Sequence, residues 1–263
     1  MSALTFDAEA TRNLEAIYQA PDVVAQRARV LELLLPKAGE RILDIGVGPA
    51  FLAKDLARAV GPGGRVVGLD SSPDMLAAAR ARLAGVAQAE VAEGDAAALP
   101  FPPESFDGAV STQVYEYVAD MPAALRSLHE VLRPGGRALI LDTDWRSMVW
   151  HSEDPARMDR MLACWDAHLI DPHLPARLGS LLQTAGFEVE QVEALALLSP
   201  VWQADSYAAG LVRTIVDFAR RNGGRHGLSP SDIDAWKAEQ RRLAEDGGFF
   251  FSLNRYIFLA RRS

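Results

Sequence analysis

The chain has 263 residues, 49% hydrophobic and 24% charged, which is enough to bury one substantial core with a modest insertion. Its formal charge of −8 offers no basic face for a phosphate backbone, which argues against DNA or RNA as a substrate. No apolar run approaches the eighteen or so residues of a bilayer span, Met1 to Ala10 carries acids where a leader would be basic, and the single cysteine, Cys164, has no internal disulfide partner. No Cys/His spacing matches a zinc site, so the expectation is a cytoplasmic protein without metal chemistry.

Apolar residues at Val23, Val24, Val30, Leu31 and Leu34 share one helical face behind Pro21, predicting a helix at the end of an N-terminal segment, 1–35. The run Arg41-Ile-Leu-Asp-Ile-Gly46 then breaks into glycines and is followed by Leu52, Leu56 and Val60 at helical spacing: strand, turn, helix. Gly61-Pro-Gly-Gly64 introduces a second strand, Arg65–Asp70, with Ser72 as the N-cap of the next helix and Pro73 in its first turn. A third strand is expected within Ala89–Asp95 and a fourth at Phe106–Thr112. Helical spacing follows at Leu125, Leu128 and Leu132, and a fifth strand at Ala138–Asp142 follows the turn Arg133-Pro-Gly-Gly136. Strands alternating with helices predict a mostly parallel α/β sheet covered on both faces by right-handed crossovers.

Past 142 the pattern loosens. Helical stripes run through Met158 to Leu169 and through Leu178 to Ala185, a sixth strand spans Phe187–Leu198, and a seventh Arg255–Ala260. Between the last two strands, 201–254 holds two more helical patterns, through Tyr207, Leu211, Ile215 and Phe218 and through Ile233, Trp236, Gln240 and Leu243. The chain is thus read as one domain, 1–263, with a ligand-binding core at 36–142, the remaining sheet in 143–200 and 255–263, and a helical insertion or lid at 201–254.

The most informative local feature is Asp44-Ile-Gly-Val-Gly-Pro-Ala50 at a strand-to-helix turn, where glycines let a ligand approach the main chain. It departs from the dinucleotide fingerprint, because Phe51 stands where the third small residue belongs. Asp70, at the end of the second strand, is placed to accept hydrogen bonds from two ribose hydroxyls, so a nucleoside is implied and a pyrophosphate is not.

Together with Val66-Val-Gly-Leu-Asp70 and the following Ser-Ser-Pro-Asp-Met75, Glu93-Gly-Asp-Ala96, Phe106-Asp-Gly-Ala-Val-Ser111 and Arg133-Pro-Gly-Gly136, this turn makes the sequence resemble the class I S-adenosylmethionine-dependent methyltransferases over about 36–142. Within that family it looks most like the ubiquinone and menaquinone biosynthesis group, a looser similarity that includes Tyr18 to Arg27. The resemblance implies a seven-stranded Rossmann-like sheet whose last strand is antiparallel, with S-adenosylmethionine as cofactor and S-adenosylhomocysteine as product. It implies that Gly46 and Gly48 lie beneath the methionine moiety, Asp44 holds its amino group, and Asp70, with Ser71 beside it, takes the ribose. Met75 would pack on the adenine, Asp95 and the Ala96 amide would read its edge, Gln113 would touch the methionine portion, and Tyr18 and Arg27 would close over the carboxylate. Ala50 replaces the glycine usual at the third turn position.

The acceptor is expected to be a small molecule, and alignment of an activated methyl group needs no obligatory base. Gln113, Tyr115, Glu116 and Tyr117 follow the fourth strand; Asp142, Asp144, Trp145 and His151 follow the fifth. Of these, His151, Asp142, Asp144, Tyr115 and Glu116 are the candidate catalytic groups, His151 for its ordinary pKa. Against each stands a structural role: a solvent-facing imidazole, a loop-capping carboxylate, a packed aromatic. A nicotinamide-dependent oxidoreductase and a non-catalytic protein retaining the nucleoside fold are the competing readings, and a twofold homodimer is the commonest assembly for such an enzyme.

Overall fold

A computed structural model describes residues 15–263; the first part of the N-terminal segment lies outside the described residues. Helix α1 (Pro21–Leu34) leads into β1 (Arg41–Ile45), α2 (Phe51–Val60), β2 (Arg65–Asp70), α3 (Pro73–Arg82), β3 (Ala89–Glu93) and β4 (Phe106–Thr112). There follow α4 (Met121–Val131), β5 (Leu132–Trp150), α5 (Pro155–Asp166), α6 (Pro175–Thr184), β6 (Phe187–Ser199), α7 (Tyr207–Asn222), α8 (Pro230–Glu245) and β7 (Phe251–Arg262).

The strands form one sheet in the order β3-β2-β1-β4-β5-β7-β6. The first five are parallel, and β7 runs antiparallel to both β5 and β6, as expected. Reversal of strand order beside β1 puts the ends of β1 and β4 at the switch point, where open α/β sheets hold their ligands. The start of α3 obeys the local chemistry predicted for it, Ser72 Oγ accepting from the Met75 amide at 3.4 Å with Pro73 behind it; on α8, Ser229 and Asp232 close a reciprocal capping box that is not among the sequence expectations.

Two strands are longer than the sequence pattern predicts. β5 continues past Asp142 to Trp150, because Val149 and Trp150 pair with Ser252 and Phe251 of a lengthened β7; three extra residues bulge between Asp144 and Val149. The segment expected as loop after Asp142 is therefore partly strand, its polar spacing masking the ladder. β3 stops at Glu93, and Asp95 makes only an isolated bridge to Ala98.

Three apolar clusters follow from this layout. One lies under α1–α3 on one sheet face and a second under α4 and α6 on the other. The third sits beyond the strand ends, where α5, α7 and α8 bury Trp165, Ile215, Phe218, Trp236 and Leu243 against Phe251 and Leu253 of β7. Among the described residues no helix is long and apolar enough to cross a membrane.

Candidate active site

The turn after β1 is built by steric exclusion. Gly46 takes φ +69°, and a Cβ there would lie 2.2 Å from Val114 Cγ2; the glycine therefore lets the β4 loop close down on the turn. Gly48, at φ +50°, has only the Tyr18 hydroxyl within 4 Å of such a Cβ, at 3.8 Å, leaving the main chain open to a ligand. Ala50 adopts the left-handed conformation, φ 63° and ψ 31°, that its glycine counterpart would take without a Cβ penalty. Phe51 stands where the dinucleotide fingerprint has a small residue for close helix–strand packing: the Arg82 guanidinium lies 3.6 Å above its ring, with Arg27 and Tyr18 also against it.

Above this turn opens a cleft of about 450 Å³ whose walls include Tyr18, Gln26, Arg27, Asp44, Gly46 and Thr112. Asp44 is 2% exposed, its Oδ2 has no partner among the described residues, and burial together with the Asp70 charge pushes its carboxyl up to about 8, while the Ala53 amide pulls the other way. A buried acid with an unused oxygen facing a cleft fits a cationic donor such as an α-ammonium group. Asp70 closes the rim: its Oδ2 accepts from Gly48 N and its Oδ1 from Ser72 N, both at 2.9 Å, with Ser71 exposed alongside. These bonds aim the carboxylate while leaving acceptor capacity for hydroxyls. Arg27 is already engaged, donating to Asp55 at 3.0 Å and to the Tyr18 carbonyl at 3.1 Å, and burial raises the Tyr18 phenol to about 12. Met75 is buried at the start of α3; Asp95 is exposed with Oδ1 accepting from the Ala97 amide at 2.8 Å; Ala96, next in the chain, is half-buried against the α4–α6 core.

The acceptor-side candidates divide. Gln113, at φ +59°, donates from Nε2 to Thr143 Oγ1 at 2.5 Å, tying the β4 loop to β5. Asp142 is fully buried, accepts from the Val114 amide at 3.1 Å, and is driven well above the ordinary carboxyl range by burial and by Glu116. Glu116, 1% exposed, accepts from the Trp145 indole at 3.1 Å; burial lifts it to about 7, against that hydrogen bond and the charge of Arg255. These two acids form one buried pair beside the strand ends.

Three candidates are not brought there. Tyr115 is fully buried in the α4–α6 core, its hydroxyl unpartnered among the described residues. Asp144 holds a turn, accepting from the Arg146 amide at 3.1 Å and lying 3.2 Å from His173 Nδ1. The His151 amide pairs with the Phe250 carbonyl, whereas Asp142 sits opposite Tyr256. Six residues of extended strand separate them, about 20 Å. The His151 Nδ1 instead donates to the Gly248 carbonyl at 2.6 Å, so the continued strand carries this imidazole to the far edge of the cover.

Other polar groups at the site were not singled out by the sequence: Gln26, Thr143, Tyr207 and Arg255. Arg255 is 4% exposed, donates to Gln26 Oε1, and lies 4.6 Å above the Tyr207 ring. The only signal was a charge at an inward position of β7. His168, held neutral by burial at about 4, donates from Nδ1 to the Trp165 carbonyl, which leaves Nε2 to accept from the Tyr117 hydroxyl at 3.3 Å.

The sheet and its rim define a Rossmann-like protein with a cleft at its switch point, walled in part by the buried Asp44 carboxyl. A family model described as a methyltransferase domain matches residues 42–136. The 2-phytyl-1,4-naphtoquinone methyltransferase of Thermosynechococcus vestitus is 38% identical over 174 residues, 59% of this chain and 75% of that one. The demethylmenaquinone methyltransferase of Thermus thermophilus is 42% identical over 117 residues, 44% of this chain and 53% of that one. Among solved structures the [4+2]-cyclase SpnF superposes with a TM-score of 0.63 at 24% identity, covering 91% of this chain and 81% of that chain, which establishes the shared fold. The chain belongs to the class I S-adenosylmethionine-dependent methyltransferases. It spans about half the length of several of the curated relatives it matches.

Proposed function

We propose that this chain methylates a small organic acceptor held between the rim of the sheet and the α5–α7–α8 cover. The observation that carries the reading is the unsatisfied, buried Asp44 carboxyl beside Asp70 on one cleft. Asp44 would receive the cofactor's amino group, Gly46 and Gly48 would admit its tail, Asp70 would take the ribose, and Asp95 with Ala96 and Met75 would frame the adenine. When bound, S-adenosylmethionine supplies a methyl carbon made electrophilic by a positively charged sulfur.

The chain's own residues then position the acceptor. Two relatives are named for naphthoquinone and menaquinone substrates. A planar acceptor of that kind would suit a pocket bordered by aromatic residues of the cover, among them Trp145 and Tyr207. Glu116, lifted by burial to about 7, is the group able to take up an acceptor proton near neutrality. His151 and Asp144 are left outside this arrangement.

Calorimetric titration of the full chain tests the donor. S-adenosylhomocysteine is expected to bind and NAD to give no heat, as the turn after β1 departs from the dinucleotide fingerprint at Phe51. The reverse pattern would return the protein to the oxidoreductases.

A further inference from the structure

On the sheet face beneath α1, Leu139 and Leu141 of β5 lie opposite Leu259 and Ile257 of β7 in an unbroken apolar row. Farther along β7 the row resumes with Leu253 and Phe251, inside the cover cluster. Between the two stretches Thr143 and Arg255 stand opposite each other, where the two cores meet. A leucine at 255 would join the two cores, yet the position holds a guanidinium.

Among the described residues that guanidinium makes no direct ion pair, although its charge reaches Glu116 and Asp142. Among the described residues no carboxylate oxygen lies within 4.0 Å of it, and its Nε–H has no hydrogen-bond partner. The nearest acids are otherwise held: Glu116 by the Trp145 indole, Asp142 by the Val114 amide. Gln26, which takes one arm of the fork, also lines the cleft, so the cation stands directly behind the cleft wall. Burying an unmatched cation is among the costliest placements a side chain can adopt, and the cost is recovered when an anion arrives.

We propose that Arg255 receives an anionic oxygen of the methyl acceptor, a phenolate or a carboxylate on a planar molecule. Gln26 orients the guanidinium fork, the Tyr207 ring supports its face, and the Thr143 and Gln113 side chains continue the polar seam across β5 to β4. Arg27, also on the cleft lining, is already paired with Asp55, whereas Arg255 lies against the cover helix α7. The inference rests on the donor reading of the cleft given above.

The test is titration of the full chain saturated with S-adenosylhomocysteine. Benzoate and 4-nitrophenolate are the probes, with benzamide and 4-nitroanisole as neutral partners. At least one anion is expected to bind about tenfold or more tightly than its neutral partner, the preferred one distinguishing carboxylate from phenolate. Arg255→Met should reduce that preference to within about twofold while leaving the affinity for S-adenosylhomocysteine within about threefold. No anion preference in the unaltered chain overturns the proposal, as does a preference that survives Arg255→Met. So does a loss of about tenfold or more in S-adenosylhomocysteine affinity, which would assign the guanidinium to the cofactor. If Arg255→Met does not fold, Arg255→Lys, which keeps the charge and loses the fork, must cut the preference about fivefold, and an unchanged preference refutes the idea. An unaltered chain that binds no S-adenosylhomocysteine sinks the donor reading instead.

Discussion

At Asp44 a raised carboxyl becomes a statement about both stability and binding. An acid that titrates near its ordinary value unfolded and at about 8 folded binds more protons in the native state between those limits. The ligand-free protein therefore loses stability as pH rises from about 4 towards 8, and Asp44→Asn should raise the melting temperature at pH 8 by a few degrees. A cationic ligand reverses the preference, so S-adenosylmethionine should bind more tightly, with proton release, as pH climbs through that range. Titrations in buffers of different ionisation enthalpy would detect this, and Asp44→Asn should flatten the slope. Asp70→Ala removes two ribose bonds and frees the Gly48 amide; we expect a loss of about 2 kcal/mol or more in cofactor affinity with the fold retained. Unchanged affinity by calorimetry would remove Asp70 from the site. Ala50 and Ala53 are both fully buried, but Ala50 is left-handed and Ala53 helical. Ala50→Gly relieves strain that offsets the lost methyl and should be near neutral, within about 1 kcal/mol, whereas Ala53→Gly should cost more than that in chemical denaturation.

Elements were legible where punctuation and period agreed. Pro21, Ser72-Pro73 and Gly186 marked helix ends that the structure places within a residue or two, and β2 and β4 match their predicted spans. The pattern failed where tertiary pairing overrode it. Residues 143–150 read as loop because Asp144, Arg146 and Ser147 break the alternation, and only the partner strand around Phe251 makes them a ladder. The same gap misplaced His151 in expectation. Gly46, Gly48 and Asp70 gather at one rim, while Tyr207 and Arg255 arrive from 71 and 119 residues beyond the matched segment 42–136 and carried no local signature. The cover has its own clasp: Glu239 on α8 accepts from Ser152 Oγ, the Glu153 amide and Arg157 Nη2 at 2.6–2.7 Å, binding α8 to the start of α5. Its side chain is 1% exposed, so Glu239→Ala removes three hydrogen bonds while Arg157 keeps Asp154, and should destabilise by about 1–3 kcal/mol in urea titration. Because α7 and α8 share a core with Trp145, removing 205–245 would expose that core, and point changes are the cleaner probe of acceptor selectivity.

For the molecule as a whole, the cover and the sheet are stitched by β7, which buries Phe251 and Leu253 above and Ile257, Phe258 and Ala260 below. All five tryptophans, at 145, 150, 165, 202 and 236, belong to or pack on the cover cluster. Intrinsic fluorescence thus reports the cover, and far-ultraviolet circular dichroism mainly the remainder. If β7 couples them, thermal transitions by the two probes coincide; fluorescence melting well ahead of dichroism would show the cover to be an independent unit.

The placement of β7 also sets an order of assembly. It is wedged between β5 and β6, yet follows both in the chain, so β6 has no neighbour in the sheet until β7 slides in. During synthesis the nascent chain must hold the open flank of β5 and the unattached β6 ribbon while two helices are still being made, a window in which unpaired edges invite association between molecules. Refolding yield should accordingly fall steeply with protein concentration, even though the finished sheet offers only β3 and β6 as edges.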